Sequence, residues 1–242
     1  MSLALADRPS PAEAKPRGLS VPLVVGPLRG CWWQLASGGK VARLLLGTYE
    51  REQTALFQRH IRSGQQVLDI GAAAGYYTLL AARLVGPTGS VIAFEPNPEN
   101  LPYLRTHVRQ NGLAHVRVLN LAVSDQDGTA RFGGGTGTGT ARLQADGAYE
   151  VAVRRLDDLA AEHDLAPQHL KIDVEGAELA VLRGGERLIR EHRPTIFLST
   201  HDGIEPGVHR ACCELLASWG YSLEPIVGTS VEAASEVLCL PA

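Results

Sequence analysis

The sequence contains no long apolar run and no long basic run, and both absences narrow the possible functions. No apolar stretch approaches the roughly 18 residues that suggest a membrane-spanning helix. The formal net charge is −3, so broad electrostatic binding to nucleic acid or to an anionic membrane is not expected. We therefore predict a chain without a membrane span and without a nucleic-acid partner. The sequence does not indicate the oligomeric state.

Cysteine is also scarce. The four cysteines, Cys31, Cys212, Cys213 and Cys239, include no Cys-x-x-Cys pair, which favours reduced, mostly buried thiols. The apolar part of the N-terminus stops at Asp7 and is shorter than the core of a signal peptide. These features predict a cytoplasmic protein.

The 242 residues suit one α/β domain with additions. Residues 1–18, rich in proline, alanine and charge, are predicted to form a flexible tail. Residues 19–63 are expected to be an N-terminal cap segment of short strands or turns, followed by a helix. From residue 64 to 242, strand and helix patterns alternate in the rhythm of a doubly wound, mostly parallel sheet.

One region interrupts this rhythm. Residues 129–155 suggest extra strands or a hairpin around the run GGGTGTGT. The run lacks the Gly-Lys-Ser/Thr ending of a phosphate-binding loop, so a flexible surface loop or lid is favoured.

The stretch QVLDIGAAAGYYT, residues 66–78, predicts a strand, a turn of small residues and a helix. Small residues allow backbone N–H groups to approach a ligand at the helix N-terminus. In a Gly-x-Gly-x-x-Gly fingerprint aligned on Gly71, the second and third glycines would fall on Ala73 and Tyr76. Tyr76 should obstruct a pyrophosphate, so the turn favours a cofactor without phosphates.

Glu95 follows the next predicted strand, Val91–Phe94. A carboxylate at this place can accept two hydrogen bonds from ribose hydroxyls. Both NAD and S-adenosylmethionine contain an adenosine ribose, and the glycine spacing favours S-adenosylmethionine. Asn97 is expected to cap the following helix or to line the adenosine site, and Asp157 is expected to cap the short helix LDDLAAEHDL.

Several segments together resemble the FkbM family of class I S-adenosylmethionine-dependent methyltransferases. The matching segments are LGTYE at 46–50, VLDIGAAAGYYT at 67–78, VIAFEPNPENLPYLRTHVRQNGL at 91–113, LAVSDQDG at 121–128, RLDDL at 155–159, LKIDVEGAELAVLRGG at 170–185 and RPTIFLSTH at 193–201. The resemblance implies a Rossmann-like, seven-stranded sheet with an antiparallel last strand. It also implies methyl transfer, usually to a hydroxyl of a natural product, sugar or lipid. It does not cover the first 40 residues or the glycine-threonine run, so it leaves the acceptor open.

The predicted cofactor contacts lie after the first three strands and at the end of the cap. They are Tyr49, Asp69, Gly71, Ala72, Gly75, Tyr76, Glu95, Pro96, Asn97, Ala122 and Val123. Ala122 and Val123 are expected to end the third strand beside the adenine.

Methylation of an alcohol also requires removal of its proton. Asp173, Glu175, His201 and Asp202 follow later strands, where an open α/β sheet places its ligands. We expect Asp173 and His201 to be catalytic, whereas Glu175 fits a helix cap better. These four residues could also bind a metal, but such pairs are common and no metal is predicted. The alternatives to O-methylation of a small-molecule acceptor are N-methylation and a non-catalytic, cofactor-binding scaffold.

Overall fold

The computed structural model describes residues 18–38, 41–134 and 142–242. Nearly all of the predicted tail, and residues 135–140 of the glycine-threonine run, lie outside these ranges.

The described residues alternate between strands and helices as the sequence pattern predicts. The strands are β1 (Ser20–Pro22), β2 (Trp32–Gln34), β3 (Gln66–Ile70), β4 (Ser90–Phe94), β5 (Val116–Leu119), β6 (Ala122–Ser124), β7 (Gly128–Gly133), β8 (Arg142–Leu143), β9 (Tyr149–Arg155), β10 (His169–Ile172), β11 (Thr195–Ser199), β12 (Tyr221–Pro225) and β13 (Glu236–Pro241). The helices are α1 (Val41–Leu45), α2 (Arg51–His60), α3 (Tyr76–Val85), α4 (Leu101–Gln110), α5 (Leu156–His163), α6 (Glu178–Gly184), α7 (Glu186–His192) and α8 (Val208–Ser218).

Seven strands form the central sheet in the order β12-β13-β11-β10-β3-β4-β5. The neighbours from β11 through β10, β3 and β4 to β5 are parallel, and β13 is antiparallel to both β11 and β12. The predicted fold, a doubly wound and mostly parallel sheet with an antiparallel last strand, is confirmed. The carboxyl ends of β3, β4, β10 and β11 consequently meet at one edge of the sheet.

The sheet is covered on both faces because its strand residues alternate between two apolar cores. Leu68 and Ile70 pack with helices α5 to α8 on one face. Val67 packs on the other face with α2, α3, α4 and the N-terminal cap. Burial on both faces explains why the parallel strands are almost continuously apolar.

The third strand is shorter than its sequence pattern predicts. VRVLNLAV leaves the central sheet after Leu119, and β6 pairs in parallel with β9 in a second, four-stranded sheet with the order β6-β9-β7-β8. Ala122 and Val123 therefore do not end the third central strand, as expected, but belong to the second sheet. The extra strands predicted within 129–155 are present as β7, β8 and β9.

Two predicted helix caps lie elsewhere in the structure. Helix α4 begins at Leu101 with Asn100 at its N-cap, so Asn97 does not cap it; the Asn97 side chain instead accepts a hydrogen bond from Glu99 N. Asp157 lies inside α5 and accepts hydrogen bonds from the N–H groups of Arg187 and Leu188, at the start of α7. Asn97 thus closes a local turn before α4, whereas a tertiary contact brings Asp157 to the start of α7.

The N-terminal cap is an antiparallel pair, β1 with β2, followed by α1. Its buried residues Leu23, Leu28, Trp33 and Leu44 join the core beneath α3 and α4. No helix among the described residues is long and apolar enough to cross a membrane.

Candidate active site

A pocket of about 370 Å³ opens where the parallel strands end. Its size lies in the range of small-molecule sites. Its walls come from the turns after β3, β4 and β10, the end of β11, the N-terminal cap and the second sheet. The predicted site residues that line it are Tyr49, Gly71, Ala72, Gly75, Tyr76, Glu95, Pro96, Ala122, Val123, Asp173 and His201. Asp69 and Asn97 are buried behind the wall, and their predicted contact with the cofactor stays a prediction.

Residues 71–75, which we call the glycine turn, bind their own backbone groups. The N–H groups of Gly71 and Ala72 both donate to Phe94 O at 3.0 Å, and Gly75 N donates to Ala72 O at 2.8 Å. Ala73, at a φ of +49°, donates its N–H to Glu95 Oε2 at 2.6 Å. The sequence predicted that N–H groups of this turn would face a ligand, and for these four groups that prediction is wrong. A turn whose N–H groups are already bonded is poorly suited to a pyrophosphate.

Gly71 is required by the packing of two strand ends. A Cβ at this position would lie 1.9 Å from the backbone oxygen of Asp173, closer than any side chain can sit. Its φ of +82° also disfavours other residues. Gly71 thus allows the turn after β3 to touch the turn after β10.

Glu95 is buried at the end of β4 with only 4% of its surface exposed. Its Oε2 accepts the hydrogen bond from Ala73 N, and its Oε1 accepts one from Asn97 N at 2.8 Å. Burial raises the pKa of Glu95 to about 7, although these backbone hydrogen bonds oppose the rise. The Asn100 side chain also donates a hydrogen bond to this carboxylate. An ionised carboxylate has about four acceptor positions, so three hydrogen bonds leave capacity to accept a ribose hydroxyl. The donor and acceptor set fits an adenosine ribose and lacks a phosphate site.

Lys171 is a pocket residue that the sequence reasoning missed. It lies in the middle of β10 with 3% of its surface exposed, and its ammonium donates to Gly71 O at 2.7 Å. Asp69 Oδ1 lies 3.4 Å from its Nζ, and Asp173 Oδ2 lies 3.5 Å away. Burial would lower the pKa of Lys171, but Asp69 and Asp173 outweigh it and raise that pKa. A lysine between Leu170 and Ile172, in a short buried strand, was the available signal.

Asp69 completes this buried pair from β3. Thr78 Oγ1 in α3 donates to Asp69 Oδ2 at 2.5 Å. The carboxylate therefore orders the glycine turn from beneath, by linking β3 to both α3 and β10.

His201 lies just after β11 among three carboxylates, and we call Asp173, Glu175, Glu178 and His201 the histidine cluster. Its Nε2 is 3.5 Å from Asp173 Oδ1 and 3.6 Å from Glu175 Oε1. Burial would lower the pKa of His201, but the hydrogen bond to Glu178 and the charges of Asp173 and Glu175 raise it overall. The two predicted catalytic residues thus lie together on one wall of the pocket.

Glu178, which the sequence reasoning also missed, holds the imidazole from behind. It is fully buried at the start of α6, and its Oε1 lies 2.7 Å from His201 Nδ1. Gly176 N donates to the same oxygen at 3.0 Å. An ionised Glu178 accepts the Nδ1 hydrogen, which leaves Nε2 as the imidazole nitrogen directed toward Asp173 and Glu175.

Glu175 has a φ of +54°, a left-handed conformation that is uncommon outside glycine. It lines the pocket rather than capping α6, whose N-cap is Ala177. One ligand atom each from Asp173, Glu175 and His201 lies within 4.8 Å of the others, close enough to surround a cation. Asp173 already has a cationic partner, because the Lys171 ammonium lies 3.5 Å from its Oδ2. The expectation that no metal is bound stays a prediction.

Aromatic rings also line the pocket. The rings of Tyr49 and Tyr76 lie 4.4 Å apart between centroids, and Tyr76 shares a hydrogen bond of 3.0 Å with Thr54. Trp33 is buried and lines the pocket, whereas its neighbour Trp32 is exposed.

The strand order, the glycine turn after the first central strand and the buried carboxylate after the second define the class I methyltransferase fold. The chain belongs to the family described as the methyltransferase FkbM domain, whose model matches residues 69–223. Membership confirms the resemblance seen in the sequence and the predicted cofactor, S-adenosylmethionine.

Solved structures support the fold. The FkbM methyltransferase of Methylobacillus flagellatus KT superposes with a TM-score of 0.53 at 20% identity, over 83% of this chain and 52% of that chain. An rRNA-methylase-like protein of Clostridium thermocellum superposes with a TM-score of 0.52 at 11% identity, over 78% of this chain and 92% of that chain.

Curated relatives match over part of their length. The hexuronic acid methyltransferase AglP of Haloferax volcanii is 24% identical over 160 residues, which cover 65% of this chain and 64% of that protein. A protein-L-isoaspartate O-methyltransferase of Caenorhabditis elegans is 28% identical over 75 residues, or 31% of this chain and 33% of that protein. The match thus spans about a third of the latter relative.

Proposed function

We propose that this protein transfers a methyl group from S-adenosylmethionine to a hydroxyl of a small natural product, sugar or lipid-like acceptor. The observation that carries the proposal is the pairing of His201 with buried Glu178, 2.7 Å apart, in a pocket that Tyr49 and Tyr76 also line. A hydroxyl needs a base during methylation, and an imidazole oriented by a buried carboxylate is suited to that task.

The bound cofactor supplies an electrophilic methyl group on a sulfonium. His201 Nε2 accepts the proton of the acceptor hydroxyl, and the adjacent carboxylates stabilise the imidazolium that forms. Glu178 is a positioning residue, because it holds Nδ1 and leaves Nε2 available. Asp173 lies between His201 and Lys171, so it links the base to the wall of the cofactor site.

The lining of the pocket supports an acceptor with an apolar surface beside its reactive hydroxyl. The N-terminal cap contributes Trp33, Val41 and Leu44, and the second sheet contributes Phe132 and Leu143. AglP acts on a hexuronic acid, and its partial match to this chain supports a sugar-containing acceptor.

The test is a labelled-methyl assay with purified protein, S-adenosylmethionine and a metabolite extract of the host, followed by identification of the product. The expected product contains a new methyl ether. His201→Gln should reduce turnover by on the order of 10²–10⁴-fold, since a general base is lost. His192→Gln, at an exposed position in α7, is the matched control and should retain activity.

The outcomes separate the alternatives. A product methylated on nitrogen, formed at an unchanged rate by His201→Gln, would overturn O-methylation. Binding of S-adenosylmethionine without any labelled product would favour the scaffold alternative.

A further inference from the structure

The N-terminal cap exposes apolar side chains to an unusual degree. Seven of the nine large hydrophobic residues exposed in the described part of the chain lie between residues 19 and 46. They are Leu19, Val24, Val25, Trp32, Leu35, Leu45 and Leu46, which we call the apolar cap surface. Scattered exposed apolar residues are ordinary, but a concentration in one small segment indicates an interaction surface.

Backbone contacts bring these residues together from separate parts of the cap. Leu35 N donates to Leu19 O at 3.0 Å, so these two exposed leucines are neighbours. A Cβ on Gly47 would lie 3.3 Å from a side-chain carbon of Val25, so the exposed pair Val24 and Val25 approaches the chain where Leu46 precedes Gly47. Pro22 is exposed and pairs with Trp32 across β1 and β2. In the sequence, Pro22 lies between Leu19 and Val24.

The charge of this region is opposite to that of the chain as a whole. Residues 14–49 contain five of the 23 basic residues and none of the 26 acidic residues, although the complete chain has a formal charge of −3. Arg29 and Arg43 are exposed within the described cap. A segment with exposed apolar side chains, exposed arginines and no acidic residue of its own matches the chemistry of an anionic lipid surface.

We propose that the apolar cap surface docks on an anionic lipid bilayer, with Leu46, Val24 and Trp32 entering the interface and Arg29 and Arg43 facing the headgroups. The same cap contributes Trp33, Val41 and Leu44 to the pocket wall. Docking therefore positions the pocket beside the bilayer. This inference does not depend on which hydroxyl is methylated.

The experiment is flotation of the full chain with unilamellar vesicles of phosphatidylcholine alone or of phosphatidylcholine mixed with phosphatidylglycerol. We expect binding to the mixed vesicles at least about tenfold tighter than to the neutral ones, because the cap is cationic. The double variant Val24→Glu, Leu46→Glu should lose at least about tenfold of that affinity. Val227→Glu replaces an exposed valine outside the cap and should bind as the original chain does.

All variants change exposed residues outside the pocket wall, so unchanged circular dichroism and S-adenosylmethionine binding would show that they are folded. The proposal is overturned if the original chain does not float with the mixed vesicles or if the double variant floats equally well. It is also overturned if size-exclusion chromatography shows a dimer that the double variant dissociates, or if duplex DNA, rather than lipid, retains the chain through Arg29 and Arg43.

Discussion

The glycine turn and the histidine cluster lie at the same sheet edge but hold their polar groups in different ways. In the glycine turn, Gly71, Ala72 and Gly75 bind backbone oxygens, and Ala73 binds the buried Glu95. In the histidine cluster, His201 interacts with carboxylates only through side chains, and Asp173 and His201 keep 33% and 24% of their side chains exposed. The turn is thus a preformed surface, whereas Asp173 and His201 remain open to solvent and to an incoming substrate.

This difference matches the two tasks expected of the pocket. A cofactor without phosphates needs shape and a ribose acceptor, which the preformed glycine turn and Glu95 provide. Proton removal needs side chains whose charge can change, and the histidine cluster provides them. Lys171 connects the two regions, because its ammonium contacts Gly71 O, Asp69 and Asp173.

The largest expected effect comes from removing the Lys171 ammonium, which connects the two regions. Lys171→Met leaves Asp69 buried without its cation, so the free energy of unfolding should fall by about 3–5 kcal/mol. Urea denaturation followed by circular dichroism measures the change. The double variant Asp69→Asn, Lys171→Met should recover part of the loss, because it removes the unpaired charge. A loss below about 1 kcal/mol for Lys171→Met would mean that the pair behaves like an exposed salt bridge.

Glu95→Ala tests the preformed side of the comparison. Loss of a charged acceptor for ribose hydroxyls should weaken S-adenosylmethionine binding about 100-fold, measured by isothermal titration calorimetry. Glu99→Ala, four residues further along the chain and exposed, serves as the control and should bind normally. Unchanged affinity in a folded Glu95→Ala protein would remove Glu95 from the cofactor site.

Glu178→Gln tests the histidine cluster. The amide cannot stabilise an imidazolium as a carboxylate does, so turnover should fall about 10- to 100-fold. Because neutral His201 is the active form, the rate rises with pH through the pKa of His201. Loss of the Glu178 charge lowers that pKa, and the rising limb of the profile should move to lower pH.

Glu178→Asp retains the carboxylate charge, so the rising limb of its pH–rate profile should return part of the way to the position in the original chain. NMR titration of His201 provides a readout that does not require the acceptor. A His201 pKa that is equal in the original chain and in Glu178→Gln would contradict the positioning role.

The smallest expected effect is the pH dependence of cofactor binding. The pKa of Glu95 is raised to about 7, so its carboxyl is mostly protonated at pH 6 and mostly ionised at pH 8. Ribose hydroxyls donate to the ionised form, and the affinity should therefore increase up to about tenfold between these pH values. The Glu95→Gln side chain does not titrate, so calorimetry on this variant should show no increase in affinity between pH 6 and pH 8. An equal pH dependence in both proteins would assign the titration to another group.

The sequence predicted those parts of the fold that depend on local patterns. QVLDIGAAAGYYT predicted β3, the turn and α3, since an apolar run, small residues and a helical stripe follow each other directly. Glu95 was predicted from its position at the end of the next strand. Local patterns misassigned Asp157 and residues 122–123, because hydrogen bonds to distant segments decided their places. Asn97 does not cap α4 because its side chain binds Glu99 N in a local turn before the helix begins.

The amino-acid sequence by itself determined the order of strands and helices, the cofactor class and the sheet edge at which the site forms. These follow from the period of apolar residues, the spacing of glycines and the direction of parallel strands. Only the tertiary structure paired Lys171 with Asp69, and Glu178 with His201. The partners in these pairs lie on different elements, 102 and 23 residues apart, and local spacing does not encode such contacts. Burial makes these pairs necessary for stability, because a buried charge without a partner is costly.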